Sequence, residues 1–119
     1  MEKVRHVSKE ELLILLKENS VKVVNVLAKQ AYENLHIAGS IWIPFDRLEG
    51  DGWKELLGST VVTYCASSEC GASETAASLL LSHGIHAMAY RGGIKEWAEA
   101  GFPVEGRLAP ESYGDAGKC

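Results

Sequence analysis

The fold is decided by the stretch VVTYCASSECGASETAASLLLS, which spans residues 61–82. Its first four residues, Val61 to Tyr64, form an apolar and β-branched run that is typical of a strand buried on both faces. Small and polar residues follow Cys65 and predict a loop, and the Ala- and Leu-rich segment from Ser73 to Ser82 has helical spacing. The stretch therefore predicts a buried strand, a loop that begins at Cys65 and a helix.

The same alternation of strand and helix continues on both sides of this stretch. Ser8 and Glu11 form a capping box that predicts a helix through about Glu18. The remaining predicted elements are a strand from Val21 to Leu27, a helical turn from Ala31 to Leu35, a loop from His36 to Ser40, a strand from Ile41 to Ile43, a short helix from Trp53 to Leu57, a strand from His86 to Tyr90 and a helix from Ile94 to Ala100. This order predicts an α/β fold, a mainly parallel sheet with helices on both faces.

Length and composition limit the chain to one domain. With 119 residues, of which 46% are hydrophobic, it fits a single domain, predicted over residues 1–104, with residues 105–119 as a poorly ordered tail. The formal net charge of -4 indicates neither nucleic acid nor an anionic membrane as a partner. No apolar run approaches the ~20 residues that span a bilayer, the start lacks a signal peptide's apolar stretch, and no long amphipathic seam is present. We therefore expect a cytoplasmic monomer that does not contact membranes.

Cys65 is the candidate nucleophile. In open α/β sheets, ligands bind beyond the carboxyl ends of the parallel strands, and Cys65 stands at such an end. Backbone N–H groups of the loop and the N-terminus of the next helix surround this position with positive potential, so we expect a lowered pKa for the Cys65 thiol. The alternative is that Cys65 merely ends a core strand, because free cysteine is among the most buried residue types. The odd count of three cysteines argues against a disulfide framework.

Several sequence pieces, taken in order, resemble the rhodanese family. They are Ala31-Tyr32, the run HIAGSI at residues 36–41 with Ile43-Pro44, Val61 to Cys65 with Ser73 and Ala76-Ala77, and Gly92-Gly93 with Trp97, Gly101 and Pro103-Val104. The similarity extends from Ser8 to Val104, and the order and spacing of the pieces make it specific. It implies a parallel five-stranded sheet flanked by helices and a sulfurtransferase. In that family the loop cysteine takes a sulfane sulfur from thiosulfate or a persulfide and passes it to a thiophilic acceptor.

The resemblance also implies the residues of the site. Cys65 matches the catalytic position, and residues 66–70 match the active-site loop, whose backbone amides surround the sulfur. The substrate-binding residues are predicted to be Ala66, Ser67, Ser68, Glu69, Cys70, Gly71 and Arg91. Arg91 follows the last strand, where it either supplies positive charge to the loop or is a solvated surface arginine. We expect no cofactor and no metal, and the expected partners are a small-molecule or protein sulfur donor and acceptor.

The chain departs from the family pattern at several positions. Asn25 and Leu27 stand where many members have Asp and Arg on the first core strand, so we expect an altered polar contact there. The loop is longer than the commonest one, and Glu69 and Cys70 occupy the region where a cationic side chain is often found. A carboxylate disfavours the binding of dianionic thiosulfate, so we expect a persulfide to be the better donor.

Other interpretations of the loop stay open. Cys70 is either a thiol that resolves an oxidised Cys65, as in a thiol redox protein, or a small apolar loop residue. A non-catalytic binding or regulatory module of the same fold is a further alternative, against which the presence of Cys65 argues. A phosphatase requires an Arg that closes the loop, and the corresponding positions hold Cys70, Gly71 and Ala72.

The histidines give two further interpretations. Cys65, Cys70, His83 and His86 approach the spacing of a zinc finger. One zinc ion with ~2 Å bonds cannot hold groups from both ends of a helix ~15 Å long, so we do not expect a zinc site. His36 is expected to fix the following glycine turn through hydrogen bonds rather than to act as a base.

Overall fold

The computed structural model describes residues 4–109 of the chain and has an α/β architecture. Its central sheet contains five parallel strands, in the order β1-β6-β5-β2-β4. These strands are β1 (Arg5–His6), β2 (Lys22–Asn25), β4 (Ile41–Trp42), β5 (Thr60–Tyr64) and β6 (His86–Tyr90). A separate antiparallel pair joins β3 (His36–Ile37) to β7 (Val104–Glu105). The predicted parallel five-stranded sheet is confirmed.

Helices cover both faces of this sheet. One face carries α1 (Lys9–Lys17) and α5 (Gly93–Glu99), and the other carries α3 (Phe45–Glu49), a 3-10 helix (Gly52–Leu56) and α4 (Ala72–Ser82). Helix α2 (Lys29–Asn34) connects β2 to β3. On β2, Val23 packs into the core beside α1 and Val24 into the core beside α4. Burial of successive residues on opposite faces is the pattern of a strand inside a parallel sheet.

Helix α1 begins at its predicted capping box. The Ser8 hydroxyl accepts a hydrogen bond from the Glu11 N–H at 3.1 Å, and the Glu11 carboxylate accepts one from the Ser8 N–H at 3.0 Å. Leu12 follows at the start of the apolar stripe and is fully buried against the sheet. The local sequence therefore determines both where this helix begins and which face it buries.

The chain continues to make specific contacts beyond the predicted domain end at residue 104. The indole N–H of Trp97 donates to the Pro103 carbonyl at 2.7 Å, and Val104 is buried where β7 pairs with β3. The N–H groups of Arg107 and Leu108 then donate to carbonyl groups at the end of α2, at 2.9 and 2.8 Å. The predicted tail is thus wrong for residues 105–109, because its partners are distant in sequence. The rest of the predicted tail, residues 110–119, lies outside the described residues.

Short elements account for the other differences from the sequence prediction. Strand β1 and helix α3 were not predicted, and the predicted loop at residues 36–40 contains β3. The helix predicted from Trp53 to Leu57 is the 3-10 helix Gly52–Leu56. Two-residue strands and single helical turns are too short to show a periodic pattern. Within residues 4–109, no helix is long and apolar enough to cross a bilayer.

Candidate functional site

Cys65 lies at the carboxyl end of β5, in the centre of the sheet. Its strand runs between β2 and β6, and the loop that begins at Cys65 leads directly into α4. The buried Thr63 hydroxyl donates to the Ser73 carbonyl at 2.6 Å, which ties the first turn of α4 to β5. The predicted strand, loop and helix are therefore present, and they place the Cys65 sulfur against the start of α4.

Helix α5 holds the same loop from the other side. The N–H of Ile94 donates to the Cys65 carbonyl at 3.0 Å, and the N–H of Lys95 donates to the Ala66 carbonyl at 3.0 Å. Gly93 has a φ of +70°, and a Cβ there would lie 2.6 Å from the Ala66 carbonyl carbon and 2.7 Å from the Cys65 oxygen. Only glycine allows this approach. The sequence did not predict this contact. The pair Gly92-Gly93 is the only feature of the sequence that indicates it.

The Cys65 thiol is enclosed by the protein. The residue is fully buried, and its thiol donates a hydrogen bond to the Cys70 carbonyl at 3.3 Å. Burial raises the pKa of the Cys65 thiol, its contact with Cys70 raises it further, and the backbone and hydroxyl of Ser73 act to lower it but offset this only in part. The expectation of a lowered pKa for Cys65 is therefore wrong, because burial outweighs the helix N-terminus.

Cys70 has the properties that were expected of Cys65. It is half-buried, and as a thiolate its sulfur can accept hydrogen bonds from the Cys65 thiol and from the backbone of Ala72 and Ala66. Partial burial acts to raise the pKa of Cys70, but these hydrogen bonds together outweigh burial and lower it. The backbone amides of the loop thus favour a thiolate at Cys70.

A cavity of about 270 Å³ opens beside the loop. Its lining includes Ser68, Glu69, Cys70, Ser73, Glu74 and Arg91. Arg91 is exposed, and Glu74 is paired with His6 of β1 at 2.8 Å. The structure therefore places Arg91 at the same cavity as Cys70, together with two carboxylates. Gly71 also lines this cavity, and its carbonyl accepts from the Thr75 N–H at 3.1 Å in the first turn of α4.

Ser73 stands out at the base of this cavity. The residue is fully buried, and its hydroxyl has no hydrogen-bond partner of normal geometry within the described part of the chain. This hydroxyl nevertheless lies close enough to the Cys65 sulfur to contribute to a lower pKa of that thiol. A buried hydroxyl without a partner costs free energy, so it is available to an anionic sulfur at this position.

A second cavity, of about 260 Å³, is lined by residues of both the loop and α5. It is lined by Ser67 and Ser68 of the loop and by three carboxylates with one lysine. The carboxylates are Glu69, Glu96 and Glu99, and the lysine is Lys95. Acidic side chains therefore outnumber basic ones on both sides of the loop.

Asn25 and Leu27 are structural residues. The Asn25 side-chain amide donates to the Tyr64 hydroxyl at 3.0 Å, and its carbonyl oxygen accepts from the Leu27 N–H at 2.9 Å. The same Tyr64 hydroxyl accepts from the Ile37 N–H at 3.0 Å, so it links β5, β2 and β3 inside the core. A polar contact was expected to be altered at this strand. The contact observed there joins the Asn25 amide to a buried tyrosine.

The histidines also take structural positions. His36 stacks on Tyr32 with ring centroids 3.9 Å apart, and its Nδ1 lies 2.7 Å from the Tyr32 carbonyl oxygen. His83 stacks on Trp53, at the end of α4 that is distant from the loop. Among the described residues, no group of three or more His, Cys, Asp or Glu side chains is placed to hold a metal ion.

The chain matches known proteins over most of its length. The family model of the Rhodanese-like domain covers residues 8–100. A solved protein from Bacillus halodurans superposes with a TM-score of 0.79 at 27% identity, over 87% of this chain and 78% of that one. A rhodanese-related protein from Thermoplasma volcanium gives 0.76 at 28%, over 85% and 97%. A thiosulfate sulfurtransferase from Pseudomonas aeruginosa gives 0.75 at 25%, over 87% of this chain but 20% of that one.

A curated relative of the chain carries a regulatory name. It is an HTH-type transcriptional regulator from Mycobacterium tuberculosis, 32% identical over 110 residues that make up 92% of this chain. The chain spans 48% of the length of that relative. The family model and the solved relatives agree with the observed parallel sheet and with the resemblance seen in the sequence. On these grounds the chain belongs to the family of rhodanese-like domains.

Proposed function

We propose that the chain is a sulfurtransferase that carries a sulfane sulfur as a persulfide on Cys65. The observation that carries the proposal is the position of Cys65, which directly follows β5 and faces the first turn of the 11-residue helix α4. There the backbone and the unpartnered hydroxyl of Ser73 act to stabilise an anionic sulfur. A thiosulfate sulfurtransferase among the solved relatives supports the same chemistry.

Each half of the proposed reaction is an exchange between sulfur atoms. The Cys65 thiolate attacks the terminal sulfur of a persulfide, R–S–SH, so that a sulfur–sulfur bond forms on Cys65 and the donor leaves as R–S⁻. An acceptor thiolate or cyanide then attacks the outer sulfur of the Cys65 persulfide and breaks the new bond. Cys65 leaves the cycle as the thiolate that entered it.

The charges beside the loop favour a persulfide donor over thiosulfate. Glu69 lines both cavities, and in the larger one Glu69 and Glu74 face a single Arg91. Repulsion by one carboxylate ~6 Å away in water costs a dianion about 1–2 kcal/mol of binding free energy, which is roughly a tenfold loss of affinity. A low-molecular-weight or protein persulfide presents less negative charge at the transferred sulfur, and it avoids most of this cost.

Loading of Cys65 requires a movement of the loop. Cys65 is fully buried, whereas Cys70 is half-buried and lines the cavity. We infer that the loop backbone at Cys70, whose carbonyl accepts from the Cys65 thiol, moves aside before the donor reaches Cys65. Loop motions are fast compared with typical turnover, so this movement does not set the rate.

Thiocyanate formation from cyanide tests the proposal. The chain, Cys65→Ser and Cys119→Ser are assayed with thiosulfate and with glutathione persulfide, with a thiol reductant present to keep the loop cysteines reduced, and each rate is corrected for the reaction without protein. We expect turnover in the chain and in Cys119→Ser, which removes a different thiol, and none in Cys65→Ser. Glu69→Gln is expected to raise kcat/KM for thiosulfate roughly fivefold to tenfold and to leave the persulfide rate nearly unchanged. Turnover by Cys65→Ser would rule out the proposal, and a clear preference of the chain for thiosulfate would rule out the donor class.

A regulatory module is the second candidate, and the curated relative favours it. That relative is an HTH-type transcriptional regulator, and this chain spans 48% of it. In such a module, sulfur on Cys65 acts as a signal and is not turned over. One bound sulfur per chain without repeated formation of thiocyanate would favour the regulatory module over the enzyme.

A further inference from the structure

Two thiols meet inside the active-site loop. The Cys65 thiol donates to the Cys70 carbonyl at 3.3 Å, and each thiol lies close enough to the other to influence its pKa. Cys70 lines the cavity of about 270 Å³, while Cys65 is fully buried behind the loop backbone. The loop therefore holds a buried thiol next to an accessible one.

We propose that Cys70 resolves the persulfide on Cys65 and releases sulfide, an activity that rests on the proposed function. The Cys70 thiolate attacks the inner sulfur, Sγ of Cys65, and a bond forms between the two Sγ atoms. The bond from Sγ of Cys65 to the outer sulfur breaks, and the outer sulfur leaves as HS⁻. The sulfane sulfur is thereby reduced to sulfide, and the two thiols are oxidised to a disulfide. A thiol reductant such as glutathione then restores both loop thiols and is itself oxidised to its disulfide.

The hydrogen bonds of the loop support Cys70 as the attacking group. Partial burial acts to raise its pKa, but hydrogen bonds from the Cys65 thiol and from the backbone of Ala72 and Ala66 lower it below the usual value. Cys70 therefore supplies a thiolate where Cys65, with its raised pKa, is the poorer nucleophile. Because the Cys70 carbonyl already lies 3.3 Å from the Cys65 sulfur, the Cys70 thiolate needs no large rearrangement to reach its target.

The position of Cys65 also favours the inner sulfur as the target. Sγ of Cys65 is held 3.3 Å from the Cys70 carbonyl oxygen, and the outer sulfur of a persulfide is one further bond of ~2 Å away from Sγ. The cavity that Cys70 lines gives the departing HS⁻ access to solvent. The proposed outcome is therefore a disulfide and free sulfide, not a second persulfide on Cys70.

Peptide mapping separates the two loop thiols. Glutathione persulfide is added to the full chain and to Cys65→Ser and Cys70→Ser, all in a Cys119→Ser background that leaves thiols only in the loop. After free thiols are blocked, endoproteinase Glu-C cleaves at Glu55, Glu69 and Glu74, so that Cys65 lies on residues 56–69 and Cys70 on residues 70–74. Only a disulfide joins these two peptides. Released sulfide is measured in the same samples.

Each variant has a different expected result. With both loop thiols present, the two peptides are joined, the intact mass falls by about 2 Da, and sulfide is released in an amount close to that of the protein. Cys70→Ser gains about 32 Da on residues 56–69 and releases no sulfide, because the persulfide has no resolving thiol. Cys65→Ser shows neither change.

Failure of this proposal is distinguishable from failure of the proposed function. A stable gain of about 32 Da in the chain with both thiols, with separate peptides and no sulfide, overturns the role of Cys70 and leaves Cys65 as the carrier. Absence of any gain in folded Cys70→Ser overturns the proposed function as well. Cys70→Ala serves as a second variant, and the result for the chain with both thiols does not depend on the stability of any loop substitution.

Discussion

Cys65 and Cys70 divide between them the properties that an active-site cysteine usually combines. Cys65 has the position at the end of β5, but burial disfavours its thiolate. Cys70 has the accessible position and the hydrogen bonds from the loop backbone. A charged electrophile from solvent therefore meets Cys70 before it meets Cys65. The proposed chemistry uses both thiols, because neither sulfur is both accessible and held at the end of the strand.

We expect the two thiols to react at different pH. Only the thiolate reacts with iodoacetamide, so the alkylation rate of each cysteine follows its deprotonated fraction. The pKa of Cys70 is lowered, so its rate should be half-maximal at a lower pH than that of an unperturbed cysteine. The pKa of Cys65 is raised by burial, so its rate should still be rising above that pH. Glu-C peptides of the quenched samples report both rates in one experiment.

Cys70→Ser provides the control for this titration. The contact with Cys70 contributes to the raised pKa of Cys65, so its removal should shift the Cys65 midpoint downward while burial still keeps it above that of a free cysteine. Equal midpoints for the two cysteines, or a lower midpoint for Cys65 than for Cys70, would contradict the asymmetry of the pair.

The sequence predicted the residues of the candidate site, but not the exposure and pKa of each thiol. Cys65 was predicted from the strand before it and the helix after it, which are local features of residues 61–82. The exposure of each sulfur depends on how the loop folds over itself, and on the contact of α5 with the Cys65 and Ala66 carbonyls. No local pattern contains this information, so the lowered pKa was expected at the wrong cysteine.

At the level of elements, the loop is clamped between α4 and α5. Thr63 ties β5 to the first turn of α4, and the N–H groups of Ile94 and Lys95 bind the carbonyls of residues 65 and 66. Carbonyl groups that are bound on the α5 side cannot turn toward the sulfur atoms. The absence of a side chain at Gly93 is what permits this contact, since a Cβ would lie 2.6 Å from the Ala66 carbonyl carbon.

Gly93→Ala should therefore damage both the fold and the site. A positive φ costs an alanine about 1–2 kcal/mol, and the contacts with the Cys65 and Ala66 backbone add to that cost, so we expect a loss of about 3 kcal/mol or more in urea unfolding. Because the loop backbone must shift, thiocyanate formation should fall at least tenfold, roughly 1.4 kcal/mol or more in the barrier.

Gly84→Ala is the matched control for this change. Gly84 has a φ of +79°, close to that of Gly93, but a Cβ there meets no atom within 4 Å. We expect Gly84→Ala to lower the free energy of urea unfolding by only about 1–2 kcal/mol and to leave the rate of thiocyanate formation per folded molecule unchanged. Similar losses for the two alanine variants would show that α5 does not set the position of the loop.

The elements that the sequence predicted are those with a strong local pattern. The capping box at Ser8 marked α1, and the apolar runs ending at Tyr64 and Tyr90 marked the two central strands. Strand β1, with only two exposed residues, had no such pattern. Helix α5 was predicted, but its contact with the loop was not, because that contact joins residues far apart in the sequence.

At the scale of the whole molecule, long-range contacts close the domain. The Tyr64 hydroxyl binds Asn25 and Ile37 and lies 2.8 Å from the Ser40 hydroxyl, so one side chain joins three segments of the core. Strand β7 then pairs with β3, and its residue Val104 packs into the core cluster that contains Tyr64. Composition predicted a tail from residue 105 onward, because the few apolar residues among the proline and glycines there give no local signal of pairing.

Val104 provides the test of this closure. Its side chain is 6% exposed and packs in the core cluster that contains Leu12, Ile37 and Trp97. We expect Val104→Ser to lower the free energy of urea unfolding by about 2–3 kcal/mol, because it removes buried apolar contact and introduces a hydroxyl into that core. Leu108→Ser is the control, since Leu108 is 66% exposed and should change stability by no more than about 0.5 kcal/mol. Two equally small effects would mean that the fold ends near residue 103, and that the pairing of β7 with β3 contributes little to the stability of the domain.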